Sequence, residues 1–88
     1  MNVNANSVWS DCLKFIKDNI QPQAYKTWFE PSKAVKLADK VLSIEVPSKF
    51  FYEWLEEHYV KILKVALQKT LGEDAKLVYI IKMENTFG

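Results

Sequence analysis

Apolar residues recur three and four apart through the first quarter of the chain. Val8, Trp9, Cys12, Leu13, Phe15, Ile16 and Ile20 fall within an arc of about 160° on a helical wheel. Ser10, Asp11, Lys14, Lys17 and Asp18 fill the rest. This pattern predicts an amphipathic helix over roughly 8–20, packed on a core, with Asn6 or Ser7 as its N-cap. Asp11 near the positive end adds a small dipole benefit. Residues 1–6 read as a disordered leader. Pro22 to Phe29 reads as a short second helix: proline suits a first helical turn, and Pro31 stops the helix. Its apolar residues Tyr25, Trp28 and Phe29 are spaced to share one face.

From Lys33 the period changes to two. Ala34-Val35-Lys36-Leu37 and Val41-Leu42-Ser43-Ile44-Glu45-Val46 alternate around Asp39-Lys40, the pattern of a β-hairpin with one buried face. Pro47-Ser48 ends it, and Ser48 can cap the next helix. Residues 49–71 are helical in composition, but their apolar stripe changes phase. Phe50, Phe51, Trp54, Leu55 and His58 cluster around one direction. Val60, Leu63, Leu67 and Leu71 cluster about 140° away at the helical repeat of ~100° per residue. A kink or break is therefore expected near His58–Val60. Gly72 stops the helix, and Lys76–Met83, rich in β-branched residues, closes the domain as a strand. The predicted order is α-α-β-β-α(α)-β. That is an α+β fold with helices packed around a three-stranded sheet.

A chain of 88 residues with 49% hydrophobic and 14% aromatic content carries enough apolar surface for one core. The net charge of +1 offers no strongly basic face for nucleic acid. All 12 basic residues are lysines. Without arginine, the bidentate contacts that read phosphate and guanine are missing. The lone Cys12 excludes an intramolecular disulfide and a cysteine-rich zinc site, and fits a reducing compartment. No basic and apolar leader of the signal-peptide kind is visible at the N-terminus, and apolar runs fall short of the ~20 residues that span a bilayer. The expectation is a cytoplasmic protein with no membrane partner.

The residues that could do chemistry have ordinary structural roles. His58 reads as a buried or boundary histidine and Cys12 as an inert core thiol. Glu53, Glu56 and Glu57 read as a solvated helix face, because a hard-cation site needs converging carboxylates. With glycine only at 72 and 88, no phosphate-cradling loop exists. No catalytic residue, metal ligand or cofactor is expected. Aromatic residues remain in excess. Phe50, Phe51 and Tyr52 are consecutive and sweep about 200° of a helix, so at least one faces solvent. Exposed aromatics anchor protein interfaces, or stack single-stranded bases when lysines such as Lys33, Lys36 and Lys49 lie beside them.

Three separated blocks carry a family likeness: Val8-Trp9-Ser10-Asp11-Cys12-Leu13, Tyr25-Lys26-Thr27-Trp28-Phe29-Glu30-Pro31, and Val46-Pro47-Ser48-Lys49-Phe50-Phe51-Tyr52-Glu53-Trp54-Leu55. With the hairpin and closing strand between and after them, residues 7–83 resemble the N-terminal domain of the DnaA family of bacterial chromosomal replication initiators. The resemblance implies a compact KH-like fold, with residues 84–88 starting an interdomain linker that leads to ATPase and DNA-binding domains outside this chain. It implies a non-catalytic interaction domain whose partners are other copies of itself in a weak homo-oligomer, the replicative helicase, and lineage-specific regulators of initiation. Carried over by position, Trp9 is expected in self-association, and Phe50 with neighbouring Gln23, Ala24 and Lys49 in partner binding. Trp28 and Trp54 are expected in the core. The helical wheel gives Trp9 a core position with equal weight. Ala24 departs from members that carry an acidic residue there. The chain also lacks the G-x-x-G loop by which true KH domains clamp a nucleic-acid backbone, which leaves at most weak binding of single-stranded DNA as the alternative.

Overall fold

Asn4 opens the first helix through a reciprocal capping box: its side-chain oxygen accepts from the Ser7 N–H at 2.9 Å, and the Ser7 hydroxyl oxygen accepts from the Asn4 N–H at 3.1 Å. The computed structural model describes residues 4–82. Helix α1 (Ala5–Asn19) thus starts a turn earlier than expected, and the cap is Asn4 rather than Asn6 or Ser7. The box satisfies donors that the apolar stripe, which begins at Val8, does not reveal. Residues 4–6, expected in the leader, form the cap and first turn; residues 1–3, like the expected linker at 84–88, lie outside the described residues.

Helix α2 (Pro22–Trp28) has proline in its first turn, as expected. Strands β1 (Lys33–Ala38) and β2 (Val41–Val46) form the antiparallel hairpin, with Asp39 at φ 57° in the turn, a conformation aspartate tolerates better than most residues. Val35 is the surplus residue of a bulge: Ala34 faces Ile44 and Lys36 faces Ser43. The strict alternation expected for β1 is corrected there. Ala34 and Leu37 point inward, and Val35 is 51% exposed.

The long helical stretch breaks where the stripe changes phase. Helix α3 (Lys49–His58) and helix α4 (Val60–Leu71) meet at Tyr59, whose φ of −125° and ψ of 10° leave the helical region. Gly72 ends α4 at φ 104°, a left-handed conformation that favours glycine. Strand β3 (Lys76–Ile81) then pairs parallel with β2, giving a mixed sheet in the order β1-β2-β3.

The helices cover one face of this sheet. Leu42, Ile44 and Val46 of the central strand are fully buried beneath Val8, Trp9, Cys12 and Ile16 of α1, Leu55 of α3, and Leu63, Ala66 and Leu67 of α4. Phe29, just past α2, completes the core. The opposite face of the sheet, with Lys33, Lys36, Lys76, Val78 and Ile80, stays exposed. The fold is α+β, as the change of period implies.

Candidate interaction surface

Trp28 and Trp54 stack nearly face to face, with ring centroids 4.7 Å apart at 10°. Both tryptophans are half-buried rather than core, which corrects the expectation for them. A wheel fixes the face on which a ring lies, but not whether a neighbour covers that face. Phe50, Trp54 and His58 recur at four-residue spacing along α3, so they form one stripe. Trp28 comes from the last turn of α2 and joins that stripe from the side. It packs against Phe50 at 5.8 Å and edge-on to Phe51 at 5.1 Å.

The rings continue without interruption from solvent to core. Phe50 is 59% exposed and also lies 6.2 Å from Trp54. His58 rests on Trp54 at 4.1 Å and approaches Tyr59 at 6.5 Å. Tyr59 meets the fully buried Phe29 edge-on at 5.2 Å, and Tyr25 stacks on Phe29 at 6.3 Å. Offset and edge-to-face rings hold one another at about 0.5–1.5 kcal/mol per pair beyond their area burial. The exposed end is therefore a braced plate rather than a set of loose side chains. The Trp54 indole N–H lies inside it with no hydrogen-bond partner among the described residues. His58 is exposed, which corrects the buried or boundary expectation. As the last residue of α3 it stays on the outer aromatic stripe while the chain turns at Tyr59 into α4.

Of the expected partner-binding residues, Phe50 belongs to this plate. Lys49 begins α3 and is exposed beside Phe50. Ala24 is half-buried one helical turn before Trp28, and Gln23 next to it is exposed, its carbonyl accepting the Thr27 hydroxyl at 2.9 Å. Sequence reasoning misses Trp28, Trp54 and His58 as members of this surface. The signal that could reveal them is the i, i+4, i+8 run Phe50–Trp54–His58, longer than the single turn over which α2 can cover α3.

Trp9 lies apart from the plate and is only 3% exposed. Its indole N–H donates to the Ser32 hydroxyl oxygen at 3.1 Å, and that hydroxyl donates onward to the Phe29 carbonyl. The ring therefore offers almost no surface to a second copy in this fold. Of the two positions the wheel allowed, the core is the one it occupies.

Cys12 is fully buried, with its sulfur 3.4 Å from the Thr70 hydroxyl. Burial pushes its thiol up, against a smaller opposing effect of the Thr70 hydrogen bond. His58 sits in the aromatic plate instead, so the two do not form a nucleophilic pair. Among the described residues, no three histidine, cysteine or acidic side chains converge on a metal-sized site, and no helix is long and apolar enough to cross a membrane.

Comparison with known proteins matches residues 6–69 to the DnaA N-terminal domain family. The chain is 74% identical over 88 residues to the chromosomal replication initiator protein DnaA of Flavobacterium psychrophilum, covering all of this chain and 18% of that protein. It is 46% identical over 84 residues to the same initiator of Chlorobaculum tepidum, covering 96% of the chain and 17% of the relative. With the initiator of Bacteroides fragilis it shares 42% identity over 81 residues, 92% of the chain and 17% of the relative. The chain thus spans less than a fifth of these relatives. On this match, which covers most of its length, the chain belongs to the DnaA N-terminal domain family.

Proposed function

We propose that this domain is a non-catalytic adaptor of a cytoplasmic replication initiator, tethering the replicative helicase, further initiator copies and regulators of initiation near one another. The observation that supports this reading is the braced plate of Phe50, Trp28, Trp54 and His58, whose outermost ring is 59% exposed. Rigid aromatics anchor protein interfaces at low entropic cost. The exposed Glu53 and Glu57 on the same helix favour a protein partner over a polyanion. In this reading Lys49, Gln23 and Ala24 supply a polar and small-residue rim to the contact. Individually weak contacts suffice where an assembly presents many copies, because linked sites raise the effective concentration.

The test is a titration of the 88-residue chain with the organism's own replicative helicase, beside a Phe50→Ala variant whose fold is checked by circular dichroism. The reading predicts binding by the parent chain and at least tenfold weaker binding by the variant. Equal binding by both would remove the plate from the helicase contact.

A further inference from the structure

The two edges of the sheet are unlike. β1 carries Lys33, Lys36 and the bulge at Val35, and α1 packs against it. Those are the devices by which natural sheets block pairing with another chain. β3 has no bulge, and its one lysine, Lys76, is its first residue. Leu77–Ile81 contains no charge and no proline, and its register with β2 is unbroken. Val78, Ile80 and Ile81 are 43%, 39% and 38% exposed. The Lys76 N–H donates to the Lys40 carbonyl and the Lys82 N–H to the Val46 carbonyl, each at 2.9 Å, so the even-numbered residues face β2. Strand backbone groups alternate in direction. The N–H and C=O groups of Leu77, Tyr79 and Ile81 therefore face the edge that is unpaired among the described residues.

We infer that this edge pairs antiparallel with the same strand of a second copy, joining two three-stranded sheets into one of six. The inference rests on the self-association in the proposed function, which needs a surface other than the buried Trp9. Charge selects the register. Placing Tyr79 opposite its own copy sets Lys76 against Lys82 at both ends, a like-charge opposition that disfavours pairing. Moving by one pair puts Val78 on the twofold axis. Leu77 then faces Tyr79, Lys76 lays its stem over Ile80, and Asp74 faces Lys82 at both ends. Asp74 is free to do so: its contact with Lys40 is a long 3.9 Å and its side chain is 88% exposed. On the helix side, an open groove lined by Tyr52, Glu56, Leu77, Val78, Tyr79 and Ile81 runs along the strand. Within that groove the Tyr79 hydroxyl donates to the Glu56 carboxylate at 2.9 Å.

Sedimentation of the 88-residue chain over a rising concentration series tests this, with amide hydrogen exchange read by NMR on the same samples. The expected result is a reversible dimer in which the Leu77, Tyr79 and Ile81 amides gain protection as dimer forms. Val78→Lys, at an exposed position, should weaken the dimer at least tenfold while the circular dichroism spectrum stays unchanged. Asp74→Lys or Lys82→Glu alone should weaken it about threefold or more, and the two together should restore it, as for exposed ion pairs made twice per dimer. A chain that stays monomeric would overturn the inference, and so would a dimer indifferent to Val78→Lys or a charge swap that fails to rescue. Helicase binding through Phe50 is read separately, so a monomer that still binds helicase would sink this inference alone.

Discussion

Two sets of tryptophans share this small domain and are treated in opposite ways. Trp9 is enclosed by core residues and its indole N–H is satisfied by Ser32. Trp28 and Trp54 lean on each other at the surface, and the Trp54 N–H is left without a partner among the described residues. An enclosed, satisfied indole contributes to stability through area and hydrogen bonding. A stacked, half-buried pair contributes less to stability and more to a rigid apolar face that a partner can cover. What separates them is how fully each ring is enclosed: Trp9 is 3% exposed among core residues, whereas Trp28 and Trp54 are only partly buried.

The contrast predicts a graded set of effects. Trp9→Ala removes a buried indole and should cost about 3–5 kcal/mol, lowering the melting temperature by roughly 12 °C or more in a domain of this size. Thermal unfolding followed by circular dichroism measures it; a shift of only a degree or two would break the assignment of Trp9 to the core. Ser32→Ala strands the Trp9 N–H and should cost about 1–3 kcal/mol in urea denaturation.

Alkaline pH should act on the same core. Burial raises the Cys12 thiol in the folded state, so the folded chain holds that proton more tightly than the unfolded chain. The stability this provides is complete below the ordinary thiol range, near pH ~8.5, and is lost as pH rises through and beyond it. Urea midpoints measured from neutral to alkaline pH should fall, and Cys12→Ala should flatten the first part of that fall. Smallest of all, Trp54→Phe removes an N–H that has no partner among the described residues and keeps an aromatic ring in the stack. It should change stability by less than about 1 kcal/mol. A loss as large as that of Trp9→Ala would mean that the plate is core after all.

Much of the fold is legible in periodicity. The phase change between Leu55 and Val60 marks the break at Tyr59, because a straight helix cannot bury two stripes about 140° apart against one sheet. Pro22, Pro31 and Gly72 mark element ends through backbone constraints carried by single residues. What stays hidden depends on relations between elements. The parallel pairing of β3 with β2 leaves no mark on either strand alone. The bulge at Val35 emerges only when Ala34 and Leu37 must both reach the core. Asn4 escapes a reading by periodicity because its capping box lies before the first apolar residue of the stripe. At the candidate site, an exposed aromatic among Phe50, Phe51 and Tyr52 is legible because three successive rings cannot all turn inward, and the family likeness points to Phe50. Trp28 and Trp54 are not legible in this way, since a wheel does not show whether another element covers the face they share, and the family likeness points to Trp9, which the folded chain encloses.

Three indole N–H groups provide three NMR signals, one in the core and two in the plate. The most direct measurement adds the organism's own replicative helicase to isotope-labelled chain and tracks those signals, assigned by conservative replacement of each tryptophan with phenylalanine. The account predicts that the Trp28 and Trp54 signals shift or broaden while Trp9 stays in place. A response confined to Trp9 would contradict the account and move the contact away from the plate.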